Sequence, residues 1–146
     1  MKIFPVPLSK REIQENFSFF TDASIDKLRA KAIKFHQKGD LFKAIRYYQF
    51  LIDLGFLDPT IFANYAIILN DLGKSHQAEV LILKAIEIKP NLAEAHNTLG
   101  NILRDLGKLQ EAEKSFRKAI KIKPNLAELY SNLGNVLSDL GNLKEA

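Results

Sequence analysis

The chain reads KAIEIKPNLAE over residues 84–94 and KAIKIKPNLAE over residues 118–128, with one difference between Glu87 and Lys121. The second copy begins 34 residues after the first. The triplet Asp-Leu-Gly recurs with the same period, beginning at Asp71, Asp105 and Asp139. A fixed period of roughly 20–50 residues is typical of stacked units that bury their apolar faces against their neighbours. Such arrays form extended binding surfaces rather than enclosed catalytic clefts.

The composition is that of an ordinary globular chain. It has 146 residues, of which 47% are hydrophobic and 26% charged, and this length fits one domain. The absence of cysteine excludes disulfides and thiolate metal sites. No apolar run reaches the roughly 18 residues that a membrane-spanning helix requires, and residues 1–8 do not resemble a secretory signal. We therefore expect a cytoplasmic protein with no membrane partner.

The net charge of +4 comes from an excess of lysine. A basic balance favours anionic partners in general, but these lysines are interspersed with acidic residues and form no arginine-rich block. A solvated surface is the better interpretation, and no nucleic-acid partner is expected. The most basic strip is predicted on and after the second helices of the repeats: Lys84, Lys114, Lys118, Lys121 and Lys123.

Residues 1–24 form an extension before the repeats. Ser9 followed by Glu12 is a capping-box pattern, which predicts a short helix over residues 10–20. Three apolar residues fall at helical spacing on it: Ile13, Phe17 and Phe20. Covering the exposed end of the first repeat is their predicted role, and an appended interaction motif is the alternative.

From Ile25 onward the repeat phase is clear. The units are predicted over residues 25–58, 59–92, 93–126 and, incompletely, 127–146. Within each unit, two amphipathic helices flank a glycine, which ends the first helix because it accepts a left-handed backbone. These glycines are Gly39, Gly73, Gly107 and Gly141.

The remaining helix boundaries follow from prolines, a further glycine and capping residues. Second helices are expected to end at Gly55 and near Pro90 and Pro124. The first helices that follow are expected to have these N-caps: Asp58 before Pro59, Asn91 with Glu94, and Asn125 with Glu128.

Small residues at fixed places predict close helix pairing. Ala66 is expected to face Ala78, and Gly100 to face Ala112, so that the two helices of a unit approach closely. Larger residues are expected to fill the remaining gaps: Tyr48, Leu69, Ile82, Leu103, Phe116 and Leu137.

These residues resemble the tetratricopeptide repeat family over residues 25–146. The matching positions of the third unit are His96, Leu99, Gly100, Leu103, Ala112, Phe116, Ala119 and Pro124. The second unit matches at Phe62, Tyr65, Ala66, Leu69, Ala78, Ile82, Ala85 and Pro90. The first unit diverges most, which fits a capping role. The resemblance implies an all-α fold: a right-handed superhelix of antiparallel helix pairs with first helices lining a concave groove.

The resemblance also implies which residues line that groove. They are Asn64, Asn97, Asn101, Arg104, Asn132 and Asn135. A side-chain amide both donates and accepts, so a ladder of amides can bind the backbone of an extended peptide. The alternative interpretation is that asparagine is simply a neutral, soluble surface residue here. Protein or peptide partners are therefore expected.

Some members of this family hold a C-terminal carboxylate with a clamp of two lysines, two asparagines and an arginine. The matching positions here are Arg29, Ile33, Asn64, Glu94 and Thr98. Glu94 replaces a lysine and would repel a carboxylate, so binding of that type is not expected. The asparagine lining is closer to the repeats of sugar transferases that modify serine and threonine.

No catalytic motif is recognisable, and we expect neither an enzyme nor a cofactor or metal. The three histidines, His36, His76 and His96, have no ligand at metal-binding spacing, and no phosphate-binding loop occurs. Ala146 falls inside the second helix of the fourth unit, so we expect a fragment of a longer chain. The favoured hypothesis is a protein-interaction scaffold that binds a peptide or helix in its groove. The alternative is the substrate-recruiting part of a larger bacterial transferase.

Overall fold

The computed structural model describes Arg11 and residues 21–145. These residues form seven α-helices and no strand. The helices are α1 Asp22–Gln37, α2 Leu41–Asp53, α3 Pro59–Asp71, α4 Ser75–Ile88, α5 Ala93–Asp105, α6 Leu109–Ile122 and α7 Ala127–Glu145. The helix predicted for residues 10–20 lies, apart from Arg11, outside the described residues. None of the described helices is long and apolar enough to span a membrane.

Glycine ends four of the helices, as the sequence predicts. Gly39, Gly55, Gly73 and Gly107 follow α1, α2, α3 and α5, and all four have φ between 75° and 84°. A residue with a Cβ is sterically strained in this left-handed conformation, whereas glycine adopts it with little loss of free energy. Glycine is therefore the residue that ends these helices. The helices α4 and α6 end at Ile88 and Ile122, two residues before Pro90 and Pro124.

Asp58 caps α3 as predicted, but the cap predicted for α5 is wrong. The Asp58 carboxylate accepts a hydrogen bond from the Thr60 amide at 2.8 Å, and Pro59 occupies the first turn. Asn91 does not cap α5, because Leu92 holds the N-cap position without a side-chain hydrogen bond. Leu92 packs against the apolar core of the second unit, so burial of this side chain fixes where α5 starts. The helix α7 likewise begins at Ala127 rather than directly after Asn125.

The predicted end of α7 at Gly141 is also wrong. The helix continues through Gly141 to Glu145. In the earlier units, the glycine turn lets the second helix fold back onto the first, and that packing compensates for interrupting the helix. Without a folded-back helix over residues 141–145, continuing the backbone hydrogen bonds of α7 is the more favourable conformation.

Each first helix packs most closely on the second helix of its own unit, in the pairs α1–α2, α3–α4 and α5–α6. Second helices also contact the next first helix, and α3, α5 and α7 contact one another in sequence. The predicted small-residue pair Ala66 and Ala78 is fully buried. At Gly100, however, the nearest atoms belong to the Phe116 ring and not to Ala112. The aromatic ring therefore occupies the space that a side chain at position 100 would need.

Candidate functional site

The first helices carry the six residues predicted to line the groove. Asn64 lies on α3; Asn97, Asn101 and Arg104 lie on α5; and Asn132 and Asn135 lie on α7. None of the six is fully buried. Hydrogen bonds between neighbouring first helices involve three of them, which places these side chains at the boundaries between units.

Two aspartates, Asp105 on α5 and Asp139 on α7, accept hydrogen bonds from the preceding first helix. Asn70 Nδ2 donates to Asp105 Oδ2 at 2.6 Å, and Arg104 Nε donates to Asp139 Oδ2 at 2.6 Å. In both cases the partners are 35 residues apart, one period plus one residue. His36 and Asp71 have the same separation in the sequence; burial lowers the pKa of His36, and the charge of Asp71 opposes that shift. We call the two hydrogen-bonded pairs the aspartate ladder.

A second network joins α5 to α7. Asn132 Nδ2 donates to Asn97 Oδ1 at 2.8 Å, and Asn97 Nδ2 donates to Glu128 Oε1 at 3.1 Å. Asn97 therefore uses both ends of its amide within the chain. Together with the aspartate ladder, this network connects neighbouring first helices.

Asn64 belongs to an aromatic cluster at the boundary between the first two units. It shares a hydrogen bond with the hydroxyl of Tyr48, whose ring stacks on Tyr65 at a centroid distance of 6.4 Å. Burial raises the pKa of Tyr48, and the bond to Asn64 opposes that shift. His36 Nδ1 lies 3.4 Å from the Tyr48 hydroxyl, and burial lowers the pKa of His36. Asn64 thus has a structural partner.

Sequence models of one family match this helical stack. Residues 59–92 and 81–114 each match a model described as tetratricopeptide repeat, and residues 100–141 match one described as TPR repeat. The chain belongs to the tetratricopeptide repeat (TPR) family. No match to a curated protein reaches significance.

Solved TPR domains have the same architecture. The first TPR of Spaghetti (RPAP3), bound to the HSP90 peptide SRMEEVD, is 25% identical, with a TM-score of 0.76 over 80% of this chain and 93% of that one. The first TPR domain of human RPAP3 is 24% identical, with a TM-score of 0.77 over 84% and 96%. The Sgt2 TPR domain from Aspergillus fumigatus is 20% identical, with a TM-score of 0.77 over 86% and 84%. The predicted all-α superhelix of helix pairs is thereby confirmed.

Two of the predicted groove residues in this TPR array remain available to a ligand. Within the described part of the chain, the side chains of Asn101 and Asn135 make no hydrogen bond. They occupy the same position in successive units, 34 residues apart. The equivalent positions in the first two units hold Ile33 and Ile67, both partly exposed.

Several charged groups at or near the predicted groove of this TPR array form ion pairs. The guanidinium of Arg29 contacts the Asp58 carboxylate, and Asp139 holds the pKa of Arg104 above its usual value. A hydrogen bond from Lys123 lowers the pKa of Glu94, which stays ionised at neutral pH. The position that would need a lysine to hold a C-terminal carboxylate therefore carries a stable negative charge. Among the described residues, no group of three His, Asp or Glu side chains could hold a metal ion.

Sequence reasoning missed the aspartate ladder, although the signal was present. In the Asp-Leu-Gly triplets, the glycine has the obvious role of ending a helix, so no partner was sought for the aspartate. The aspartates lie one residue past a full period from the side chains they bind. Counting one period plus one residue from Asn70 and Arg104 leads to both aspartates of the ladder.

Proposed function

We propose that this TPR array is a protein-interaction scaffold that binds an extended peptide segment along its concave groove. The observation that carries the proposal is the pair Asn101 and Asn135, which lie one unit apart and are without internal partners in the described chain. An exposed amide of this kind keeps its donors and its acceptor for a ligand backbone. The partner class is a protein or peptide.

The spacing of the two amides fits an extended chain. Neighbouring helices lie about 8–10 Å apart, and an extended peptide rises about 3.3 Å per residue. Asn101 and Asn135 would therefore bind backbone groups about three residues apart. Such contacts bind the peptide backbone and therefore allow many different amino-acid sequences in the ligand.

The other end of the groove supplies apolar contacts. Ile33 and Ile67 stand where the later units carry Asn101 and Asn135, and both are partly exposed. A peptide that crosses all four first helices would therefore place apolar side chains against α1 and α3 and free backbone groups against α5 and α7.

Charge distinguishes the proposed ligand from the peptides of two neighbours. The solved complexes contain the HSP90 peptide SRMEEVD and the HSP70 peptide SGPTIEEVD, both with acidic C-terminal ends. Here Arg29 and Arg104 are ion-paired with Asp58 and Asp139. Glu94 is ionised and paired with Lys123. None of these positions therefore offers an unpaired cation to a C-terminal carboxylate. We propose a neutral or basic internal segment as the ligand of this groove, not an acidic C-terminus.

Selection from a random peptide library, followed by fluorescence anisotropy with the selected peptides, tests the proposal. Replacing both Asn101 and Asn135 by alanine removes two amide contacts, each worth about 0.5–1.5 kcal/mol, and is expected to weaken binding about 5- to 150-fold. The matched control replaces two exposed lysines on second helices, Lys84 and Lys118, and should leave affinity unchanged. SRMEEVD should not bind measurably. Equal affinity of the asparagine and lysine variants, or binding of SRMEEVD that depends on its carboxylate, would show that the proposal is wrong.

A further inference from the structure

The boundary between the first and second units lacks the contact that the two later boundaries have. There, a side chain near the end of one first helix donates to the aspartate at the end of the next: Asn70 to Asp105, and Arg104 to Asp139. Asp71 is the aspartate at the same place on α3. It is exposed and, within the described part of the chain, its carboxylate accepts no hydrogen bond and forms no ion pair. One carboxylate of the series is therefore open to a ligand.

His36 stands where the donor to Asp71 would be expected, at the place that Asn70 and Arg104 hold in the next two units. Its ring faces a partner within its own unit. Nδ1 lies 3.4 Å from the Tyr48 hydroxyl, and the two rings meet edge to face at a centroid distance of 6.1 Å. Because burial lowers the pKa of His36, the imidazole is neutral at neutral pH. His36 therefore supplies neither a hydrogen bond nor a positive charge to Asp71.

An apolar side chain lies beside the open carboxylate. Ile67 precedes Asp71 by one helical turn on α3, so the two side chains share a face of the helix. Ile67 is partly exposed. In the third and fourth units its place is taken by Asn101 and Asn135. Among the four first helices, α3 is the one that combines an isoleucine with an aspartate four residues later.

This combination matches the two parts of an arginine side chain. The methylene groups of arginine pack on apolar surface while the guanidinium stays at its edge, and a guanidinium binds a carboxylate through two parallel hydrogen bonds. We propose that Ile67 and Asp71 form a subsite for an arginine side chain of the bound peptide. Arg104 shows the same chemistry within the chain, since its Nε donates to Asp139 at 2.6 Å. We call Ile67 and Asp71 the arginine subsite.

The arginine subsite deepens the proposed function and rests on it, because it requires a peptide in the groove. Asn101 lies on α5, which is the next first helix after α3 and contacts it. Neighbouring helices lie about 8–10 Å apart, so a peptide bound at Asn101 and Asn135 would reach α3 about three residues further on. The expected ligand has an arginine about three residues from the residue bound by Asn101, on the side away from Asn135.

Peptides selected from a random library are the probe, and they should share an arginine at one fixed position. One such peptide is compared with a version that carries citrulline, which keeps the shape of arginine but is neutral. Fluorescence anisotropy should show about five- to twentyfold weaker binding of the citrulline peptide. Asp71→Asn should weaken binding of the arginine peptide by a similar factor and leave the citrulline peptide unaffected, because both changes remove the same ion pair.

A matched control and a charge reversal locate the contact. Glu87→Gln removes another exposed carboxylate, which lies on the second helix α4, and should leave affinity unchanged. Asp71→Arg should reverse the preference, so that a peptide with glutamate in place of the arginine binds more tightly than the arginine peptide. Circular dichroism checks that each variant is folded.

The results separate this inference from the proposed function. Equal affinity of the arginine and citrulline peptides, or equal effects of Asp71→Asn and Glu87→Gln, would overturn the arginine subsite. If replacing Asn101 and Asn135 still weakens binding in that case, the proposed function stands. If Asp71→Asn weakens binding and the asparagine replacements do not, the subsite stands and the proposed backbone contacts are wrong. A library that yields no binder would overturn both.

Discussion

The helices α5 and α7 occupy the same place in successive units and share the segment Leu-Gly-Asn, at residues 99–101 and 133–135. On α5, Leu103 is 4% exposed, and the Phe116 ring covers Gly100. On α7, Leu137 is 41% exposed, and a Cβ built at Gly134 would meet no atom of another helix within 4 Å. Equal sequence therefore does not mean equal environment in a repeat array, because the burial of a first helix depends on the presence of its second helix.

The groove side of the two helices differs much less. Asn101 and Asn135 both lack side-chain partners within the described residues, and Arg104 joins the two helices through Asp139. The comparison thus separates two kinds of position on one helix. Residues that pack on the second helix of their own unit lose that cover at α7, whereas the two groove asparagines lack a side-chain partner in both units.

The largest expected difference is between alanine substitutions of the two equivalent leucines. Leu103→Ala removes a buried side chain and should lower the free energy of unfolding by about 2–5 kcal/mol. Leu137→Ala removes a side chain that is already 41% exposed, and we expect a loss of about 1 kcal/mol or less. Urea denaturation followed by circular dichroism measures both. Equal losses would mean that α7 is as well covered as α5.

The two glycines should respond to alanine with opposite signs. Gly100→Ala forces a methyl group against the Phe116 ring, and overpacking should cost about 1–2 kcal/mol even after the gain in helix propensity. Gly134→Ala meets open space and should stabilise the chain by about 0.5–1 kcal/mol. Thermal or urea unfolding of both variants checks the signs. Adding Phe116→Leu to Gly100→Ala should recover part of the loss if contact with the ring is its cause.

The contact between Arg104 and Asp139 should couple the covered helix to the uncovered one. Both side chains are partly exposed, at 39% and 35%, so a double-mutant cycle should give a coupling of about 0.5–1 kcal/mol. Alanine at each position, singly and together, supplies the cycle. The coupling should fall as salt is raised. A coupling of zero at low salt would show that the contact between Arg104 and Asp139 does not stabilise the packing of α5 and α7.

The smallest effect concerns the carboxylates in the first turns of α5 and α7. Glu94 has Lys123 as its partner, whereas Glu128 accepts from Asn97. The pKa of Glu94 lies below its ordinary value of 4.5. The pair therefore stabilises the fold above that pH, and its contribution is lost as the pH falls through the lower folded-state pKa. Lys123→Ala should cost about 0.2–1 kcal/mol at pH 7 and nothing in strong acid. A loss that did not depend on pH would contradict this explanation.

The sequence predicted the array because its strongest signals act locally. Gly39, Gly73 and Gly107 each end a helix by their own conformational freedom, and Asp58 caps α3 through its own carboxylate. Such effects need only a few neighbouring residues, and they fix the boundaries of the first three units. The groove residues could be assigned to the first helices for the same reason.

The errors arise where a distant partner decides the outcome. Gly141 belongs to the same triplet as Gly107, yet α7 passes through it because no second helix folds back there. Leu92 replaces Asn91 as the cap of α5 because its side chain is drawn into the core. The hydrogen bond from Asn132 to Asn97 forms only because α5 and α7 lie close together. The distance between helices of two different units cannot be predicted from the sequence of either unit alone.

Native-state hydrogen exchange resolved to single amides tests the central claim, which is that in the 146-residue chain one face of α7 is uncovered where the same face of α5 is buried. The amides of residues 99–103 in α5 should open with a free energy close to that of global unfolding. The equivalent amides of residues 133–137 in α7 should exchange at least about tenfold faster, through local opening of a helix with one face uncovered. Equal protection of the two segments would contradict this claim, since it would show that the exposed side of Tyr130 and Leu137 on α7 is covered in solution.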